Sequence, residues 1–210
     1  MPEKTPPLNY EPMIKVDKPD PNIRNQLLDK IMESASKDAI DIDMFHIMDH
    51  RRSVRKFTEQ SVEATKIDEI ISAADTAPTA GNFQGFEIFY VKNKQKKIEL
   101  IEACNNQRYV NAPIVLVFCK NPSRVKFDFP EYTLKKFAIQ DATLAAGYSQ
   151  LAAHALGLGS IWIGMFDEEK VKRVIDTDLV PSSILCIGYT HIHKLPKPRR
   201  NVRGLVHIID

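Results

Sequence analysis

Residues 114–119 read IVLVFC, six apolar residues in unbroken succession. A strand with one wet face alternates apolar and polar residues, whereas an unbroken run has no face for solvent. The run therefore predicts a central strand covered on both sides. A second feature supplies cover. The stretch 138–156 is rich in alanine (Ala138, Ala142, Ala145, Ala146, Ala152, Ala153 and Ala155) and ends at Gly157 and Gly159, as a closely packed helix does. It is expected either under the sheet or in a seam between two copies.

The rest of the chain alternates around these two elements. Helices are predicted at 43–50, 61–77 with Ser61 as N-cap, 94–105, and after Asp167, where Glu168 and Glu169 lead and Lys172 and Arg173 follow. Strands are predicted at 86–91, 160–164, 184–190 and 205–209. Residues 127–132 form an aromatic stretch of low regularity. Six of the 13 prolines lie in the first 21 residues, and no glycine precedes Gly81. Residues 1–40 thus read as a proline-rich arm plus a helix at 22–37, and a compact domain is expected over 41–210. Tight hairpin turns are absent, so a sheet of four or five strands is expected to be mixed.

Composition narrows the function. Hydrophobic residues make up 43% of the 210, enough for a core. Lys and Arg number 29 against 27 Asp and Glu, a net charge of +2. A chain so balanced is not a general binder of polyanions, so nucleic acid is not the expected partner. No apolar run is long enough to span a membrane, and the first residues carry no secretory pattern. Cys104, Cys119 and Cys186 are odd in number and lack CxxC spacing. A disulfide or zinc framework is not expected; Cys119 and Cys186, inside apolar runs, fit small buried hydrophobes, and a reducing, cytoplasmic setting fits the set.

No GxSxG, GxxxxGK[ST] or HExxH motif occurs. Gly157-Leu158-Gly159 does not complete GxGxxG and follows a helix rather than a strand. His46 and His50, and His191 and His193, are pairs without a third ligand, so no metal is expected. What stands out is cationic. Arg51, Arg52, Arg55 and Lys56 flank Ser53 in six residues without an acid, and Lys194, Lys197, Arg199, Arg200 and Arg203 form a second cluster. Converging, the two could neutralise a phosphate dianion; apart, they are solvated faces. The loop Pro78–Gln84 adds Asn82 and Gln84, whose amides suit the edge of a planar heterocycle, and Gly81, which permits close approach.

The order of these signals resembles the nitroreductase family of FMN-dependent oxidoreductases. The resemblance rests on Arg51-Arg52-Ser53-Val54-Arg55-Lys56-Phe57, then Ala77 through Gln84, Gln140-Asp141 leading a helix to Gly159-Ser160, Ile161-Trp162-Ile163-Gly164, and Lys197-Pro198-Arg199. It spans about residues 41–210. It implies an α+β fold with a central mixed, mainly antiparallel sheet flanked by helices, in an intertwined homodimer with FMN at the subunit interface. By position, it implies that Arg51, Arg52, Ser53 and Arg55 contact the phosphate and ribityl chain, with Lys197 and Arg199 as a second clamp. Pro78, Thr79, Ala80, Asn82 and Gln84 match the loop along the flavin, contributed by the partner subunit. Ile163, Gly164 and Met165 match the turn whose backbone faces flavin N5. No side chain is implied as catalytic, because the flavin carries the redox chemistry. The implied reaction is ping-pong hydride transfer from NADH or NADPH to a small oxidised acceptor such as a nitroaromatic or quinone.

The sequence departs from the family at Gln84-Gly85-Phe86, where Gln-Pro-Trp is frequent, and at Met165, where glycine is frequent. The segment before the alanine-rich helix is short, leaving Phe127, Phe129 and Tyr132 as expected cover. Other readings remain: a reductive dehalogenase or flavin-consuming enzyme on the same fold, or an FMN-binding sensor without turnover.

Overall fold

The computed structural model describes residues 44–192, 199 and 201–209. The expected arm and helix of residues 1–40, together with Lys197, lie outside the described residues. In chain order the main elements are α1 (Met44–His50), α2 (Ala64–Asp75), β1 (Phe86–Tyr90), α3 (Lys94–Ala103), β2 (Ile114–Lys120), α4 (Glu131–Ala155), β3 (Gly159–Ile163), α5 (Glu168–Ile175) and β4 (Val180–Gly188).

The four strands lie in the order β1-β2-β4-β3, and every neighbouring pair is antiparallel. The mixed character that was expected reduces to one parallel bridge, Ser53 to Ser160, beside the β3 edge. β2 sits in the middle with Ile114 through Cys119 all buried. Its side chains alternate between two cores. Val115, Val117 and Cys119 join Leu100 and Ala103 of α3 and Val171 of α5. Ile114, Leu116 and Phe118 join Ile70 and Ala74 of α2 and Ala142, Ala145, Ala146 and Ala153 of α4. The unbroken apolar run is thus the signature of a strand with helices on both faces. The alanine face of α4 lies against the sheet, and Ile139, Leu144 and Tyr148 of the same helix stay exposed at 43, 41 and 39%.

Three expectations change. α4 starts at Glu131, not near 138. Pro130 marks its start, and Glu131 pairs with Lys135 at 2.7 Å one turn on. Those first turns are held by local pairing rather than a buried face, so no apolar period announces them. Ser61 does not cap α2; Glu63 is the cap residue and its side chain makes no capping bond. Instead the Tyr189 hydroxyl donates to Glu63 Oε2 at 2.7 Å, tying the helix start to the chain after β4. Finally, residues 205–209 form no strand: Val202–Leu205 is a 3-10 turn, and Val206, Ile208 and Ile209 are exposed at 63, 82 and 90%. Among the described residues no strand pairs with them.

The caps at Asn93 and Asp167 follow from sequence chemistry. Asn93 Oδ1 accepts from Lys96 N and Asp167 Oδ1 from Lys170 N, each satisfying a donor the helix leaves open. The three cysteines are buried and free, and burial pushes the Cys104 and Cys119 thiols up to about 12. As thiols at neutral pH they are packing groups, not nucleophiles. Among the described residues, no helix is long and apolar enough to cross a membrane.

Candidate functional site

The segment after α1 crosses one end of the sheet. Val54 N donates to Ser160 O at 2.8 Å, Thr58 N to Tyr189 O at 2.8 Å, and Thr190 Oγ1 to Lys56 O at 2.9 Å. Val54 is buried and presses on Gly159, where a Cβ would lie 3.0 Å from Val54 Cγ2 and 2.9 Å from Thr190 Cγ2. Only glycine lets the segment come this close. The result is a rigid seat for the basic run 51–56.

Within that seat Arg199 of the second cationic cluster comes near the first. Burial, then Arg199 and then Arg52, pull the Arg51 pKa below its ordinary value. Arg199 therefore stands close enough to Arg51 to be felt through charge, although 148 residues separate them in sequence. Arg52 turns its Nη1 to the carbonyls of Asp49 and Arg51, and its Nε is buried with no partner. Among the described residues neither Arg51, Arg52 nor Arg199 forms an ion pair. Like charges that converge without an acid repel each other and cost energy unless an anion joins them. His154, near the end of α4, feels the same field. Burial, then Arg51, His50, Arg52 and His46, hold its pKa below the usual histidine value. His46 and His50 stack at 3.8 Å beside it.

The turn after β3 follows on the same edge. Ile163 is buried, while Gly164 and Met165 emerge from the sheet, Met165 at 72% exposure. Gln107 Nε2 donates to Met165 O at 3.4 Å, and Asp167 N to Ala103 O at 2.8 Å. The turn is thus held from the side of α3, with its backbone open.

The loop 78–84 is built differently. Gly81, Asn82 and Gln84 all have φ between 48 and 58°. Gln84 Nε2 donates to Asn82 O at 2.7 Å and to Asn82 Oδ1 at 2.8 Å, so the two amides brace one another. A Cβ on Gly81 would lie 2.5 Å from Phe127 Cζ, and Phe83 packs edge-on against Phe127 at 5.1 Å. Below, Asp141 is buried. Its Oδ1 accepts from Ala80 N and its Oδ2 from Gly85 N, both at 3.0 Å. One carboxylate thereby clamps both ends of the loop. Neither this clamp nor the roles of His154 and Gln107 were evident in the sequence, since burial is what distinguishes Asp141 from the other acids.

The expected contacts therefore fall into two groups in one chain. Arg51, Arg52, Ser53, Arg55, the 163–165 turn and Arg199 share the β3 edge. Pro78, Thr79, Ala80, Asn82 and Gln84 are anchored at Asp141, thirteen residues before His154 on α4. At 1.5 Å per helical residue that is about 20 Å away.

The chain matches the model of the Nitroreductase family over residues 48–110 and 100–189. It is 29% identical over 177 residues to an FMN reductase [NAD(P)H] of Bacillus subtilis (strain 168), covering 77% of this chain and 71% of that protein. It is 32% identical over 169 residues to an NADPH-flavin oxidoreductase of Vibrio harveyi, covering 74% and 69%. The solved structure of a nitroreductase from B. subtilis superposes with a TM-score of 0.73 at 28% identity, covering 79% of this chain and 73% of that one.

Proposed function

The chain belongs to the nitroreductase family, and from that premise we propose how its site works. It is an FMN-dependent oxidoreductase that uses NADH or NADPH. The sensor, dehalogenase and flavin-consuming readings are not favoured. The observation that carries the site assignment is the convergence of Arg51, Arg52 and Arg199, none of which pairs with an acid among the described residues, together with the buried, unpartnered Arg52 Nε. A phosphate dianion supplies both the missing charge and the missing acceptor, so the residues fit the FMN phosphate.

Arg51, Arg52 and Arg199 hold that phosphate, with Lys197 as a further cation. Ser53 and Arg55 lie toward the ribityl chain. FMN, when bound there, would supply the two-electron hydride chemistry of a ping-pong reaction, which no side chain here can perform. The chain's part is to orient and to exclude. The exposed backbone of Gly164 and Met165, steadied by Gln107, offers N–H donors to the ring. Asn82 and Gln84, braced against one another, present amide edges to a heterocycle, with Pro78, Thr79 and Ala80 forming the rest of that wall. Phe83, Phe127 and Phe129 form an aromatic cover suited to planar acceptors such as nitroaromatics and quinones.

The site is completed by a second copy of this chain. Within one chain the Asp141 clamp and His154 lie about 20 Å apart along α4, which sets the loop and the phosphate seat at different ends of that helix. Phe45, Leu144, Tyr148, Ile208 and Ile209 offer apolar surface that a homodimer would bury. Residues 41–210 are the flavin-binding domain, and the buried thiols suit a cytoplasmic setting.

The test is an absorbance spectrum of the purified protein, before and after anaerobic addition of NADH or NADPH. Flavin bands that bleach with either nucleotide support the reading. Arg51→Ala should release FMN on dialysis, and a variant that stays fully yellow refutes the phosphate seat.

A further inference from the structure

A cavity of about 870 Å³ opens beside the site, within the range of small-molecule pockets. Arg55 lines it at one end. So does the turn Arg108–Asn111, which follows the Gln107 that holds Met165. From there the cavity runs to Lys92, in the loop after β1, and Lys94, the first residue of α3.

Its charge is one-sided. Arg55, Lys92, Lys94 and Arg108 face a single acid, Glu59, and none of the four forms an ion pair among the described residues. Lys97 also lines the cavity, but its ammonium is spent on the carbonyls of Ala112 and Pro113 at 2.7 and 2.9 Å. Thr58 Oγ1 is buried there without a hydrogen-bond partner. A buried hydroxyl left unpaired costs energy that a ligand oxygen would recover. Tyr90 and Tyr109 add aromatic surface, with Lys92 poised over the Tyr90 ring at 4.9 Å. The pattern is a wall of cations beside stacking faces.

Arg55 is shared with the FMN site, but FMN does not account for Lys92, Lys94 and Arg108. It carries one phosphate, and Arg51, Arg52 and Arg199 already supply three positive charges to it. Of the two nicotinamide donors, only NADPH brings an additional phosphate, on the 2′-oxygen of its adenosine. We propose that this cavity holds the adenosine 2′-phosphate end of NADPH, with Lys92 and Lys94 as the phosphate contacts, and that the enzyme prefers NADPH over NADH. The proposal rests on the oxidoreductase reading above for the identity of the donor.

The direct probe is 2′,5′-ADP, titrated calorimetrically into the FMN-loaded protein with 5′-AMP as control. Binding at least tenfold tighter than 5′-AMP is expected. The double variant Lys92→Gln, Lys94→Gln should weaken 2′,5′-ADP about tenfold, the scale of two charged contacts on an open surface, while retaining its FMN. The ratio of anaerobic reduction rates with NADPH and NADH should fall by a similar factor. Equal affinity for 2′,5′-ADP and 5′-AMP overturns the proposal, as does an unchanged dissociation constant in the double variant. Failure of both nucleotides to bleach the flavin would instead count against the oxidoreductase reading, because the calorimetric result decides the cavity by itself.

Discussion

Asp141 is the most economical place to test how the loop 78–85 is held. Its carboxylate is 2% exposed and accepts two backbone N–H bonds at 3.0 Å, from Ala80 and Gly85. Hydrogen bonds to a charged group are worth about 1.5–3 kcal/mol each, and a buried donor left unpaired costs about 1–3 kcal/mol. The Gly85 N–H is fully buried while Ala80 is half-buried, so water can repair one of the two. Asp141→Ala should therefore lose about 3–4 kcal/mol in chemical denaturation. Asp141→Asn keeps one acceptor, which can serve Gly85, but turns an amide N–H toward the other donor. It should lose about 2 kcal/mol, or roughly 4–8 °C in Tm for a chain of this size. The order Ala worse than Asn is the decisive part. Both variants within about 0.5 kcal/mol of the parent would mean that the loop N–H groups find other partners, and the clamp would be refuted.

Further outcomes follow from the same contacts. Gly85→Ala places a Cβ 2.8 Å from Val125 Cγ2, 2.9 Å from Asp141 Oδ2 and 3.3 Å from the Ala138 Cα. The backbone of α4 cannot yield cheaply, so a loss of about 1–3 kcal/mol in urea unfolding is expected. His154 has its folded pKa lowered by burial first and by Arg51 next. The unfolded chain therefore takes up the proton first, and stability falls as pH drops below the unfolded value of about 6.5. His154→Gln should flatten the fall in Tm of the flavin-free protein between pH 7 and 5. If the proposed homodimer buries Ile208 and Ile209, Ile208→Asp with Ile209→Asp should lower the sedimentation coefficient to that of a monomer, with the far-UV circular dichroism retained; an unchanged coefficient refutes that surface as the interface.

Local chemistry and strand periodicity were enough for much of the architecture. Ile114 through Cys119 required cover on both faces because no residue in the run tolerates water, and the structure supplies α2 and α4 on one side and α3 and α5 on the other. Asp167 had to cap α5 because its carboxylate meets the open amides of the first turn. The family signature likewise followed from short motifs in order. Elements held by distant partners could not be read this way. The start of α2 is tied by Glu63 to Tyr189, not by Ser61, and residues 205–209 look like a strand but have no strand beside them among the described residues. Sequence pattern determined which residues could bear charge, bury or turn. Tertiary structure alone decided that Arg51 feels the charge of Arg199 and that Asp141 closes the loop, because electrostatic and hydrogen-bond energies depend on distance and burial in space, and neither is a property of position along the chain.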